Sequence, residues 1–232
     1  MKIGLLHYGL GNVYSMENAI RSLGYEVLTI SSPQELKQCQ MLVLPGVGAF
    51  GEGMAALEKL KLDRGIKDYV EAGGSLLGVC LGMQLLFEES EEFGTHQGLG
   101  LVKGKVQKLP ASTDQRIPNI GWRPIALTND HPIQGLSDEG YFYFNHSYYP
   151  DPKDGEVLTT SNFGSNEFCS GIMKNRVIGT QYHPEKSGPT GLRFLQSLIQ
   201  YLKEVSLLGE HFQKINPQPQ LDVKVKGSSM NS

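Results

Sequence analysis

The sequence predicts an α/β fold, with a mostly parallel central sheet flanked by helices and a strand-rich antiparallel extension. Three observations point there. Short apolar runs in the first half alternate with stretches of helical spacing. Those runs are apolar on both faces, as strands covered by helices on each side are. Beyond about Leu99 the texture changes to shorter β-like runs. The chain has 232 residues, of which 39% are hydrophobic and 19% charged, enough for one sizeable core. We read one domain over 1–207 and a tail, 208–232, whose Gln, Pro, Lys and Ser content predicts disorder.

Taken in order, KIGLLH (Lys2 to His7) is the first strand. Asn12 is a cap residue for a helix over Val13 to Leu23, which Gly24 stops. EVLTI (Glu26 to Ile30) and MLVLPG (Met41 to Gly46) are the second and third strands, and the third runs into a glycine-rich turn. A polar helical region is expected over roughly Gly53 to Ala72. SLLGVC (Ser75 to Cys80) is the fourth strand, and helical spacing follows it through Phe87. The extension comprises GLGLVKGKVQKL, GWRPIAL, YFYFNHSYY, EVLTTS and FCSGIMKNRVIGTQYHP. A last helix is expected over Gly191 to Val205, with Leu192, Leu195, Leu198, Ile199 and Leu202 on one face.

Composition narrows the function. No apolar run approaches the length of a membrane span, and the first strand begins too close to Met1 to leave room for a leader peptide, so a cytoplasmic location is expected. The net charge of −3, without a basic block, argues against nucleic acid as a partner. Cys39, Cys80 and Cys169 are an odd, unclustered set, which suits reduced thiols better than disulfides or a metal site.

One of those thiols has an unusual setting. GVCLG, Gly78 to Gly82, has the form of a nucleophile elbow, in which glycines flank a nucleophile at a tight strand-to-helix turn where larger neighbours would clash. Helix amides aimed at the sulfur favour the reactive thiolate. A lone cysteine is otherwise most often a small buried apolar residue. In TQYHPEKS, Thr180 to Ser187, His183 and Glu185 lie two apart in a segment read as extended, so that both side chains project to one side. Carboxylate beside imidazole is the arrangement that orients a general base, though it also serves as a structural pair. LPGVGAFGEG (Leu44 to Gly53) follows a strand and leaves backbone N–H groups free to stabilise an oxyanion, or is an ordinary turn. GLGN near the start lacks the third glycine of a dinucleotide fingerprint and is rejected as one.

PGVGAF, GVCLGMQLLF, PNIGW, FNHSYY and QYHPEKS, in this order, resemble the class I glutamine amidotransferases, and among them the glutaminase subunits of imidazole glycerol phosphate synthase. The resemblance spans about Ile3 to Leu202. It implies a flavodoxin-like amidotransferase fold and a glutaminase that uses neither cofactor nor metal. In it Cys80 attacks glutamine, His183 relays protons and Glu185 orients His183. Gly46, Val47 and Gly48 fall on the family's oxyanion strand; Gln84, Ser147 and Tyr148 fall where the family holds glutamine. Because ammonia in neutral water is mostly ammonium, the family delivers it through a channel to a (β/α)8-barrel cyclase subunit. Asn12, Trp122 and Lys186 fall on segments that border that partner. The implied function is ammonia supply for imidazole glycerol phosphate and aminoimidazole carboxamide ribotide in histidine biosynthesis. Two alternatives stay open: the same chemistry feeding an amidino or amino sugar for surface-sugar synthesis, and a non-enzymatic module with an inert Cys80. Family members usually carry Asp where this sequence has His7.

Overall fold

In the computed structural model, which describes residues 1–110, 115–128, 131–153 and 156–215, with side chains described as far as Ser206, the apolar runs become strands that feed two separate cores. The first half reads β1 (Lys2–Leu6), α1 (Val13–Ser22), β2 (Glu26–Ile30), a 3-10 turn over Pro33–Gln38, β3 (Met41–Gly46), α2 (Phe50–Lys59), α3 (Leu62–Glu71) and β4 (Ser75–Cys80). The strands fall where the apolar runs place them. Asn12 caps α1 through its Oδ1, which accepts from the Ser15 N–H at 3.3 Å, and Gly24 takes a φ of +83° just past its end.

The single polar helix expected over Gly53 to Ala72 is two helices. Lys61 adopts a left-handed φ of 58° between them, which ends one helix and starts the next. The first of the two begins earlier than expected because its start is capped from far away. Ala49 has no side chain to cap it, and the Phe50 N–H donates instead to Glu92 Oε2 at 2.7 Å.

The helical stretch expected after Cys80 is also corrected. Only α4 (Leu81–Gln84) is helical, and the chain then turns into β5 (Phe87–Ser90) and β6 (His96–Gln97). The remaining elements are β7 (Val102–Lys108), β8 (Asn119–Arg123), β9 (Ala126–Leu127), β10 (Phe142–His146), β11 (Tyr148–Pro152), β12 (Val157–Phe163), β13 (Asn166–Lys174), β14 (Val177–Thr180), a 3-10 turn over Pro184–Lys186, and α5 (Gly188–Ile215). The last helix therefore starts earlier and runs further than its apolar face suggests. The part of the expected tail at 216–232 lies outside the described residues.

Among the described residues, the main sheet has eight strands in the order β2-β1-β3-β4-β14-β13-β12-β9. The run from β2 to β14 is parallel, and β13, β12 and β9 continue it antiparallel. A four-stranded sheet, β11-β7-β5-β6, and a two-stranded ribbon, β10-β8, lie outside it. Strand alternation divides the apolar residues. Ile3, Leu5, Met41, Val43, Leu77 and Val79 pack on one side with Met16 and Ile20 of α1 and Leu195 and Leu198 of α5. Leu6, Leu42, Leu44 and Leu76 pack on the other with Leu57 of α2 and Ile66 of α3. No described helix is long and apolar enough to cross a membrane.

Strands β3 and β4 end side by side, Gly46 in register with Cys80, and α4 folds back over them at very close range. A Cβ on Gly82 would sit 1.8 Å from the Leu44 carbonyl oxygen, and one on Gly78 would sit 2.7 Å from the Gly82 carbonyl oxygen. Both glycines are required by contact with backbone, which has nowhere to go. Gly82→Ala is expected to destabilise the protein by more than ~3 kcal/mol in urea unfolding; a loss under ~1 kcal/mol would show that the turn is not this tight.

Candidate active site

The tight turn forces Cys80 into an uncommon backbone state, φ 57° and ψ −114°. A non-glycine residue there costs on the order of 1–3 kcal/mol and persists only when its surroundings hold it. The strand–turn–helix expected of an elbow is what holds it, although the helix is a single short turn.

The sulfur lies between β14 and β10. Gln181 Nε2 and the Asn145 carbonyl oxygen each approach it at 3.9 Å, and the sulfur acts electrostatically on the His183 ring. His183 Nδ1 meets Glu185 Oε1 at 2.8 Å, with both side chains almost fully buried. The route to this pairing differs from the extended segment expected. His183 leaves β14 extended, and Pro184–Lys186 then form a 3-10 turn that folds the Glu185 carboxylate back onto the ring. With Nδ1 taken by Glu185, Nε2 is the nitrogen left for the sulfur. Glu185 Oε2 is buried without a hydrogen-bond partner among the described residues, so the ring is the carboxylate's main source of compensation.

Charge in this group is strongly coupled. Burial works against a charged imidazole, but the negative sulfur of Cys80 and then the Glu185 carboxylate outweigh it, and the His183 pKa is pushed up to about 10. Below that value the ring holds its proton, so at neutral pH His183 is positioned as a proton donor.

A cleft of about 280 Å³ opens on the sulfur, lined by Val47, Gly48, Cys80, Leu81, Gln84, Glu92, Pro118, Asn145, His146, Ser147 and Tyr148. Of the expected oxyanion and substrate residues, Val47, Gly48, Gln84, Ser147 and Tyr148 lie on its wall. Gly46 does not. It is instead a point of close packing behind the elbow, where a Cβ would meet the Tyr8 hydroxyl at 2.6 Å and Leu81 Cβ at 2.8 Å. That hydroxyl donates to the Pro45 carbonyl at 2.8 Å, pinning the start of the loop. Gly48 is needed for its φ of +107°, since the space beside it is open.

Gln84 is buried, and its amide is fully committed at one end. Nε2 donates to the Tyr148 carbonyl and to Gln181 Oε1, both at 2.9 Å. Its Oε1 is the end left for the cleft. Glu92, absent from the sequence reading, supplies a carboxylate on the cleft wall while capping α2. Burial raises its pKa, and the hydrogen bond from Phe50 opposes the rise. No local signal separates Glu92 from Glu88, Glu89 and Glu91. Gln181 was within reach of the sequence argument, because it precedes His183 by the same two positions that separate His183 from Glu185.

Trp122 and Lys186 converge on one ring. Trp122 stacks edge-on against Tyr143 with centroids 6.0 Å apart, and Lys186 Nζ lies 5.9 Å from the Tyr143 centroid. Tyr143 in turn accepts the His183 N–H on its carbonyl at 2.9 Å. Ile120 and Trp122 are more than half exposed on the outer face of the β8–β10 ribbon. Asn12 stands apart from the cleft wall as the α1 cap. Among the described residues no group of three or more His, Cys, Asp or Glu side chains is placed to hold a metal ion.

A family model described as glutamine amidotransferase class-I matches residues 5–200. Imidazole glycerol phosphate synthase subunit HisH of Chlorobium luteolum is 42% identical over 195 residues, covering 83% of this chain and 96% of its own. The protein of the same name from Bacillus subtilis is 41% identical over 206 residues, 87% of this chain and 97% of its own. A solved structure of PurLQS from Thermotoga maritima superposes with a TM-score of 0.68 at 22% identity, over 87% of this chain and 98% of that one. A glutamine amidotransferase structure gives 0.65 at 20% identity, over 88% and 98%. These two likenesses concern the fold alone.

The His183 titration tests the coupling described above. Followed by NMR, its midpoint is expected to fall in both Cys80→Ala and Glu185→Gln, and further in Cys80→Ala, because the sulfur's charge contributes more than the carboxylate. A midpoint unmoved by Cys80→Ala would contradict the influence of the sulfur on the ring.

Proposed function

The chain belongs to the class-I glutamine amidotransferase family, and on that premise we infer that it is the glutaminase subunit of an imidazole glycerol phosphate synthase, acting in histidine biosynthesis. The observation that carries the site assignment is that the Cys80 sulfur, on the wall of the cleft, acts on the ring of the buried His183–Glu185 pair.

Each catalytic role follows from what the group faces. The Cys80 sulfur attacks the side-chain carbonyl carbon of glutamine, forming a C–S bond and an oxyanion. The Leu81 N–H, next after the nucleophile, and the backbone of Val47 and Gly48 are the donors at hand for that oxyanion. His183 gives its proton to the departing amide nitrogen, the C–N bond breaks, and ammonia leaves a glutamyl thioester. The now neutral ring takes a proton from water, whose oxygen attacks the thioester; glutamate is released and the sulfur and imidazolium are restored. Glu185 holds the ring by Nδ1 through both halves of the cycle. The acceptor Gln84 Oε1 and the Glu92 carboxylate suit the ammonium of the substrate, and Ser147 and Tyr148 complete the wall.

Ammonia released to solvent takes up a proton and is lost as a nucleophile, which is a reason for sealing the site. The partner is a cyclase subunit of (β/α)8-barrel form that docks over the ribbon and receives ammonia beside His183. The exposed Ile120 and Trp122, with Lys186 against Tyr143, support this placement. Asn12, the cap of α1, belongs to the same interface only by the family resemblance.

Cys80→Ala is expected to lower glutamate release by at least ~10³-fold without lowering stability. In the unmodified protein, release is expected to rise when the cyclase subunit and its nucleotide ligand are added. Equal release with and without them would contradict the coupling, and full activity in Cys80→Ala would remove the nucleophile assignment.

A further inference from the structure

One buried titratable group on the cleft wall has no part in the chemistry above. His146 ends β10, and both of its ring nitrogens are engaged. Nδ1 lies 2.8 Å from the Tyr148 carbonyl oxygen and Nε2 lies 2.8 Å from Asn119 Nδ2. A carbonyl only accepts, so Nδ1 carries the proton; an amide NH2 only donates, so Nε2 is bare. The amide orientation is fixed in turn by Arg123, whose Nε donates to Asn119 Oδ1 and whose Nη2 donates to Gln115 Oε1 at 2.8 Å. Every donor and acceptor in this series has one consistent polarity.

The series continues into the cleft. The Tyr148 carbonyl receives a second hydrogen bond, from Gln84 Nε2, and Gln84 donates onward to Gln181 Oε1. Its two lone pairs are thereby shared between His146 and Gln84. We propose that His146 is a positioning residue for glutamine binding: as a neutral ring protonated on Nδ1, it fixes the Tyr148 carbonyl so that the Gln84 amide is locked with Oε1 toward the substrate. Protonation at Nε2 would set N–H against N–H at Asn119 and break the series. Burial, with Arg123 and His183 nearby, opposes that charge and keeps the His146 pKa at about 4. The ring touches Tyr148 and Asn119, and it acts on substrate only through Gln84 and the Ser147–Tyr148 wall.

The proposal rests on the glutaminase reading, and two measurements separate the failure of one from the failure of the other. In the intact chain with its cyclase subunit, His146→Phe is expected to raise KM for glutamine about tenfold with kcat within about threefold, because ground-state binding is what the wall controls. His146→Asn, whose amide still donates to the Tyr148 carbonyl, is expected to return KM to within about threefold of the unmodified protein. Unchanged KM in His146→Phe, or a raised KM that His146→Asn does not restore, overturns the proposal. Independently of any hydrolysis, nitrogen NMR of the ring at neutral pH is expected to show the Nδ1–H tautomer, and Asn119→Asp is expected to abolish it by drawing a proton to Nε2. A ring found as Nε2–H or as imidazolium in the unmodified protein overturns it even where His146→Phe does not fold.

Discussion

The structure depends on how closely α4 returns over the ends of β3 and β4. Strand ends in a parallel sheet usually open into loops, but here Gly46, Gly78 and Gly82 bring backbone against backbone with no room for a Cβ. That approach leaves Cys80 at the tip of the turn with a left-handed φ and nowhere to relax. Three consequences follow from one contact. The sulfur is lifted to the carboxyl edge of the sheet, Leu81 and Gln84 of α4 are brought to the cleft wall, and β14, paired with β4, brings Gln181 alongside the sulfur.

Burial then gives the site its electrostatic character. His183 and Glu185 are almost fully enclosed, and Glu185 has one oxygen with no partner among the described residues. An isolated carboxylate there would be costly, and the facing carboxylate and sulfur in turn raise the His183 pKa and favour its protonated ring. His146, only a few residues from the ribbon contacts of Tyr143, is the opposite case. Burial first, and then the neighbouring Arg123, favour the uncharged ring against the opposing hydrogen bond to the Tyr148 carbonyl. Two histidines of the same site are thus set to opposite protonation states by what surrounds each of them.

Much of this is legible in the sequence. The first four strands read correctly, β1, β3 and β4 because burial makes them nearly continuous apolar runs and the partly exposed edge strand β2 from its shorter Val-Leu-Ile pattern, and the elbow reads because only glycine fits beside it. What was not legible depends on distant partners. The start of α2 is capped by Glu92, forty-two positions away, so nothing near Ala49 signals it. The break at Lys61 needs a left-handed lysine, which its neighbours do not announce. The helical spacing after Cys80 ends early because Phe87 is claimed by pairing with Val102, an example of tertiary contacts overriding local pattern. The His183–Glu185 pairing was read correctly as a pair and incorrectly as strand alternation, since a 3-10 turn also brings positions i and i+2 together here.

The central claim is that Cys80 forms a covalent bond to the glutamyl group during turnover. Rapid acid quenching of the working complex with its cyclase subunit, followed by peptide mass spectrometry, tests it most directly. The account predicts one added glutamyl group on the peptide carrying Cys80 and none on those carrying Cys39 or Cys169. Steady ammonia release with the glutamyl group on another residue, or with no acylated peptide under conditions that trap a thioester, would contradict it.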